Sequence, residues 1–274
     1  MTLQLSGPLV LVGAGNMGGA LLKGWLAGGL DPALVVALDP APPASMARLL
    51  ASHGIACLAT PPRLERAPDV ILLAVKPQLM DQVVPGVAAL AGPGTVVLSV
   101  AAGRTIASLA RHFAPGTAIV RSIPNTPASV GRGITAVFAN ATVTPAQRAL
   151  CDRLLAAVGA VTWVDAERLI DAATAVSGSG PAYVFLLAEC LAEAGRQAGL
   201  PAEIATQLAR ATVAGAGELL YQSDLGASTL RQNVTSPAGT TAAALAVLMA
   251  EGGLQQLMTR AVAAADQRAR ELAV

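Results

Sequence analysis

Hydrophobic positions along this chain fall into two regimes that meet near residue 165. In the first they gather into short unbroken runs: Pro8 to Val12, Leu34 to Leu38, Val70 to Val75, Thr95 to Val100 and Ala118 to Val120. Unbroken runs of this length, bounded by turn residues, predict strands buried on both faces of a parallel sheet. Residues 134–138 and 160–164 add two short β-rich runs, and the first domain closes near Asp165. From Ala166 onward the pattern is helical alone. Ala166 to Val176, Pro181 to Ala198, Pro201 to Tyr221 and two segments after Thr240 carry apolar residues at i, i+3 and i+4. Pro181 and Pro201 stand at predicted helix starts and Gly199 follows a predicted helix end.

The first run leads into Gly13-Ala14-Gly15-Asn16-Met17-Gly18, after which Ala20, Leu21, Leu22, Trp25 and Leu26 show helical spacing. Strand, glycine turn and helix are the context that a dinucleotide fingerprint requires. Gly13 permits the tight turn, Gly15 lets the backbone approach a pyrophosphate, and Gly18 lets helix pack closely on strand. A purely structural glycine turn is the alternative. The predicted fold class is therefore an α/β Rossmann dinucleotide-binding domain over residues 1–165, followed by an all-α domain over 166–274.

The second strand ends in Asp39, where a carboxylate would bond the adenosine ribose 2′-hydroxyl, favouring NADH and repelling a 2′-phosphate. Arg48 and Arg63 lie downstream and could cover a 2′-phosphate if Asp39 turns aside, so the lean towards NADH is slight and NADPH stays open. Later strands end in Ala74-Val75-Lys76-Pro77-Gln78, in Ala101-Ala102-Gly103 and in Arg121 to Pro127. Ligands in such folds sit beyond the carboxyl ends of the strands, so each loop is a candidate cofactor wall. Ala101 and Ala102 are small enough to lie against a flat nicotinamide. Lys76 is either a cofactor contact or a solvated residue at a strand end.

Composition narrows the partners. Of 274 residues 54% are hydrophobic and 13% charged, enough apolar material for two cores. A net charge of +1, no basic run and 3% aromatic residues offer nucleic acid neither an electrostatic field nor a stacking platform. Residues 1–22 carry no charge, but Gly13, Gly15, Gly18 and Gly19 interrupt them and no basic segment leads in, so neither a signal peptide nor a membrane span is expected. Cys57, Cys151 and Cys190 are scattered, matching neither a disulfide framework nor a metal site. The expected compartment is cytoplasmic.

The strongest local signal outside the first domain is Val234-Thr235-Ser236-Pro237-Ala238-Gly239-Thr240-Thr241, directly before the apolar run Ala242 to Met249. Hydroxyl residues, a proline and a glycine at a helix start bring unpaired N–H groups and side-chain donors to one spot, which suits a phosphate or carboxylate. A well-capped helix with nothing bound is the bland alternative. A similar hydroxyl- and glycine-rich helix entry is expected at Ser177-Gly178-Ser179-Gly180-Pro181. Carbonyl reduction of the hydroxyacid or phosphogluconate type needs a strong proton donor, commonly lysine. The chain has only Lys23 and Lys76, and its histidines are His53 and His112, all in the first domain. That distribution argues against carbonyl reduction of this type. A non-enzymatic dinucleotide sensor would bind cofactor without needing the anion pocket.

Gly13 to Gly18, Ala74 to Gln78, Arg121 to Pro127, Ser177 to Tyr183 and Leu230 to Thr241, in this order, strongly resemble pyrroline-5-carboxylate reductase, along essentially the whole chain. Two positions depart: Ala238, where glycine is more usual, and Asp39, where many members carry a small or amide residue. The resemblance implies NAD(P)H-dependent reduction of L-1-pyrroline-5-carboxylate to L-proline, the last step of proline biosynthesis. It implies that Gly239, Thr240 and Thr241 hold the substrate carboxylate through backbone N–H groups. The Thr241 hydroxyl would bond the ring nitrogen and assist its proton. Ser236 and Asn233 would frame the pocket, Asn233 at the nicotinamide end and so also a cofactor contact. Glu167 would face the substrate, although a first-turn carboxylate there also complements its helix dipole. The helical domain becomes a substrate-binding and dimerisation domain, in homodimers that in several members assemble further into decamers.

Overall fold

The computed structural model describes residues 3–273. Its sheet has the order β3-β2-β1-β4-β5-β6-β7-β8. The strands are β1 (Leu9–Val12), β2 (Val35–Leu38), β3 (Ala56–Leu58), β4 (Val70–Leu73), β5 (Val96–Ser99), β6 (Ala118–Pro124), β7 (Gly133–Ala139) and β8 (Gly159–Trp163). Pairing is parallel from β3 across to β6 and between β7 and β8, while β6 and β7 are antiparallel, with Ser122 opposite Val137. Every residue of β1, β4 and β5 is buried, which explains why those strands read as unbroken apolar runs. β1 lies between β2 and β4, and there the strand order reverses. This is the point where open α/β sheets bind their ligands.

The helices of this part are α1 (Asn16–Ala27), α2 (Ala44–Ser52), α3 (Met80–Ala88), α4 (Ile106–Ala110), α5 (Pro145–Ala156) and α6 (Leu169–Ala173). Trp25 of α1 is fully buried, and its indole Nε1–H donates to Leu154 O of α5 at 2.8 Å, so its one polar atom is satisfied inside the core. α5 opens with a capping box in which Thr144 and Gln147 satisfy each other's backbone N–H groups. Arg148 of α5 lies over the Trp163 ring at 3.9 Å.

The remaining helices are α7 (Gly180–Gln197), α8 (Ala202–Gln222), α9 (Ala227–Asn233), α10 (Thr240–Leu248) and α11 (Leu254–Leu272). Packing divides the chain into a first unit, running to Gly178 and resuming from Ala265, and a second unit, Ser179–Ala264. The change from mixed to helical pattern at 165/166 thus precedes the division in packing. Ile170 is buried with Ile123 and Ala136 on the sheet, which keeps α6 with the first unit.

A helix, α7, does begin within Ser177 to Pro181, at Gly180 with Pro181 in its first turn, but its N-cap Ser179 has helical backbone and no side-chain cap, and it follows directly on another helical stretch. The chain is helical from Leu169 to Gln197, with a π-helical turn at Thr174–Gly178. Proline has no N–H, so Pro181 cannot donate to the carbonyl four residues earlier, Ser177 O. Asn125 Nδ2 donates to that carbonyl instead, at 3.1 Å, while Asn125 Oδ1 accepts from Ile134 N–H at 2.9 Å. A wide turn before a proline is a recognised way for a helix to continue.

In the second unit α7 and α8 pack on each other, joined through Gly199 at φ +100, a left-handed helix end suited to glycine. Among its described residues only Ala205 and Ala209 are buried hydrophobics. Val184, Phe185, Leu187, Leu208 and Leu219 are exposed.

Candidate functional site

At the end of β1 the three glycines are held by their surroundings. Gly13 has φ +96, and a Cβ there would come within 2.8 Å of the Ala74 carbonyl group. Gly13 N–H donates to Leu38 O at 2.8 Å and Ala74 N–H to Val12 O at 2.7 Å, which sews the turn to both neighbouring strands. A Cβ on Gly18 would collide with Gly13 O and press on Ala74 and Leu11, so glycine sets how closely α1 packs. A Cβ on Gly15 would meet nothing within 4 Å. Gly15 is also the N-cap of α1, with no side-chain cap and no acidic residue in the first turn. The helix start at Gly15, Asn16 and Met17 therefore presents open backbone donors, the arrangement that fits a pyrophosphate.

Asp39, at the end of β2, is anchored by both oxygens: Oδ2 accepts from Ala14 N–H at 2.8 Å and Oδ1 from Ala41 N–H at 2.9 Å. A carboxylate oxygen has a second lone pair, so this anchoring aims the group rather than exhausting it. Burial, with the Asp39 charge beside it, pushes the neighbouring Cys57 thiol up from its ordinary pKa.

Beyond β4, Ala74 and Val75 are half-buried, as is Pro77, and Lys76 is exposed. Beyond β5, Ala101 is buried with its N–H donating to Ser99 Oγ at 3.3 Å, and Ala102 is exposed. Gly103 has φ +70, and a Cβ there would lie 2.7 Å from Leu272 O, so the end of α11 rests on this loop. Arg104 is 4% exposed and donates to Asp81, whose Oδ1 is also 3.0 Å from His112 Nε2. Hydrogen bonds from Arg104 and then His112 hold the Asp81 carboxyl below its ordinary range. Because the shift is downward, this contact stabilises above the ordinary carboxylate range and is lost as pH falls through the lowered value.

Asp171 was absent from the candidates drawn from sequence, and Arg121 entered only as the first residue of a loop. Arg121 of β6 is 2% exposed; Nη2 donates to Asp171 Oδ1 at 2.6 Å and Nη1 to Glu167 Oε1 at 3.2 Å. Glu167 Oε1 also accepts from Ile106 N–H, at the start of α4, at 2.7 Å. A lone arginine inside the strand Ala118–Pro124 demands buried partners. Glu167, in the turn before α6, and Asp171, four residues on within it, were the signal for them.

In the second unit Gly239 N–H donates to Ser236 O at 3.1 Å, closing a turn with Pro237 second and Ala238 third. Ala238 has φ +56, the only positive φ among described non-glycine residues. Proline second and a left-handed residue third mark a type II turn, whose third position favours glycine. Ala238→Gly is therefore expected to raise stability by about 1 kcal/mol, the left-handed strain less the added chain freedom. Urea denaturation reads it, and a loss of stability would mean that the alanine methyl packs usefully. A Cβ on Gly239 would strike Ser236 Oγ, so glycine admits the Ser236 hydroxyl against the helix start. Gly239 is the N-cap of α10, without a side-chain cap. Among the described residues the hydroxyls of Thr240 and Thr241 have no hydrogen-bond partner, and Thr241 is half-buried. Asn233 ends α9 and is exposed. Among the described residues no three His, Cys, Asp or Glu side chains group as metal ligands would.

Comparison with known proteins covers both units. A family model described as pyrroline-5-carboxylate reductase dimerisation matches residues 167–272, and one described as NADP oxidoreductase, coenzyme F420-dependent, matches residues 8–103. Pyrroline-5-carboxylate reductase of Pseudomonas aeruginosa is 39% identical over 97% of this chain and 96% of its own length. That of Synechocystis is 46% identical over 74% of this chain and 75% of its own. The solved structure of a pyrroline-5-carboxylate reductase from Coxiella burnetii superimposes with a TM-score of 0.91 at 35% identity, covering 98% of this chain and all of the other. A Plasmodium falciparum pyrroline carboxylate reductase with NADP bound gives a TM-score of 0.80 at 27% identity, covering 98% of this chain and 99% of the other.

Proposed function

Since the chain belongs to the pyrroline-5-carboxylate reductase family, reducing L-1-pyrroline-5-carboxylate to L-proline with NAD(P)H, we propose a division of that reaction between its two units. The single observation that carries it is the pair of uncapped helix starts, one at Gly15 beside the strand-order reversal and one at Gly239 lined by free hydroxyls.

The first unit takes the dinucleotide. Gly13, Gly15 and Gly18 shape the turn, and the N–H groups around Asn16 and Met17 receive the pyrophosphate at the positive end of α1. Asp39 meets the adenosine ribose, and the segments Ala74-Val75-Lys76-Pro77 and Ala101-Ala102 wall the remainder. When bound, the cofactor supplies a hydride to the imine carbon.

The second unit takes the substrate. N–H groups at Gly239, Thr240 and Thr241 hold its carboxylate, again at a helix start. The Thr241 hydroxyl bonds the ring nitrogen and keeps a proton there, so that the electrophile is the iminium. Ser236 and Asn233 frame the ring. No lysine or histidine lies in this unit, and an imine nitrogen, being basic itself, does not need one.

The dimerisation model spans the helices whose apolar side chains are exposed. Burying that face between two copies gives the chain its homo-oligomer, and a decamer of five such dimers is the larger assembly we propose. Leu169–Gln197 is long and apolar enough to cross a membrane by length and composition. We assign its apolar face to the partner subunit instead, and the enzyme to the cytoplasm.

Oxidation of NADH and NADPH by purified protein, with and without pyrroline-5-carboxylate, tests the reading. Turnover dependent on the imine is expected, and cofactor binding without turnover would point to a sensor. Asp39→Ser is expected to raise the NADPH to NADH preference several-fold, because it removes a carboxylate aimed where a 2′-phosphate would sit. An unchanged ratio would take Asp39 out of ribose recognition.

A further inference from the structure

The Arg121 cluster does more than fill a hole in the sheet. Three segments meet at one carboxylate oxygen: Glu167 Oε1 accepts from Arg121 Nη1 on β6 and from Ile106 N–H, the first helical residue of α4. Arg121 is fixed in turn by Asp171 Oδ1 at 2.6 Å and by its place between β5 and β7, opposite Ser99 and Phe138. Ile106 is separated from the wall residues Ala101 and Ala102 only by Gly103, Arg104 and Thr105. At the other end of that loop, Ala101 N–H is tied to Ser99 Oγ, and Ser122 Oγ donates to Ser99 O at 2.8 Å. The loop is thus pinned at both ends by side chains of buried or half-buried polar residues. The two residues that pin it, Ser99 and Glu167, are each bonded in turn by one of two adjacent β6 residues, Ser122 and Arg121.

We propose that Arg121, acting through Glu167, is a positioning residue for the cofactor: the clamp on Ile106 N–H fixes the start of α4 and with it the Ala101-Ala102 surface that receives the nicotinamide. This rests on the assignment of that loop as cofactor wall. The bond concerned is charge-assisted and to a helix-start N–H that would otherwise lack a protein partner, the kind whose loss is felt. A helix pinned at its first residue cannot slide or fray there, so the wall is in place before the cofactor arrives. Binding then need not order it.

Proline at position 106 isolates the bond. The first helical position accepts proline, and Thr105, at φ −74 and ψ 158, already has the backbone that a residue before proline adopts. Ile106→Pro removes the N–H and the isoleucine side chain; Ile106→Ala removes the side chain alone. Fluorescence titration with NADPH and with NADH is expected to give a Kd about tenfold higher for Ile106→Pro than for Ile106→Ala. The KM for pyrroline-5-carboxylate at saturating cofactor should be the same in both. In a Glu167→Ala background the difference between the two is expected to vanish, which a merely structural role for Ile106 would not produce. Equal Kd values for the two variants, or a difference that persists without Glu167, would overturn the proposal. Should the proline variant not fold, Glu167→Gln, which keeps an acceptor, is set against Glu167→Ala; the same tenfold contrast is expected, and its absence overturns the clamp. Ala102→Trp tests the wall separately. If it leaves cofactor binding unchanged the wall assignment falls, whereas weakened binding there with equal Kd values at position 106 removes the clamp alone.

Discussion

Arg121→Met is expected to lower the unfolding free energy by about 3–5 kcal/mol, the range for removing one partner of a buried ion pair. Methionine matches much of the side-chain length but leaves Asp171, 8% exposed, and Glu167 close together with no cation between them. The penalty comes from these uncompensated carboxylates more than from lost attraction. Arg121→Lys should recover only part of it, since an ammonium is a point charge and cannot reach both carboxylates as the guanidinium fork does. Urea denaturation of the three proteins provides the comparison. A loss under about 1 kcal/mol for methionine would mean that water solvates the carboxylates and that the cluster is not a closed one. Arg121 Nε is itself buried without a partner, so the site is costly even when intact. A residue maintained at such cost is one whose geometry matters.

Thr241→Ala is expected to reduce kcat by about tenfold to a thousandfold while leaving the Kd for NADPH within twofold, the range for losing one positioned proton donor. The hydroxyl has no partner among the described residues and stands in the first turn of α10, so it is free to serve a ligand rather than the fold. Thr241→Ser keeps the hydroxyl and should retain most of the rate. Steady-state kinetics with both variants decides the matter, and an unchanged kcat for alanine would assign the hydroxyl to no chemical role. A rise in KM with constant kcat would assign it to ground-state binding instead.

The parts of the fold most legible in sequence were those whose environment is uniform. β1, β4 and β5, buried on every residue, left unbroken apolar runs, and the turn at Gly13, Gly15 and Gly18 left its spacing. β3 escaped because a three-residue edge strand, only partly buried, has too little pattern to stand out. β6 was read short because Arg121 and Ser122 look like the end of a hydrophobic run when their buried partners lie far along the chain. Periodicity sees neighbours in sequence, whereas Asp171 and Ser99 are neighbours only in space. Ser177 to Pro181 marked a helix start, and α7 does begin there, but nothing local showed that it follows directly on a π-helical turn whose Ser177 carbonyl is taken by the distant Asn125 amide. α9 was also passed over, being seven residues with no buried side chain. Ala238 stood out only through the resemblance, as a place where glycine is more usual, and its φ of +56 gives the physical reason.

The first unit is discontinuous in sequence, since residues from Ala265 onward return to it after the whole of the second unit has intervened. Leu272 then closes on the loop at Gly103, a pairing of residues far apart along the chain. Long closures of this kind cost entropy that grows slowly with length, but they delay folding, because the loss comes before the contact is gained. The loop at Gly103 should accordingly be among the last parts of the sheet domain to acquire protection from hydrogen exchange during refolding. A chain still being made would then recognise dinucleotide only after the segment around Leu272 had docked on this loop.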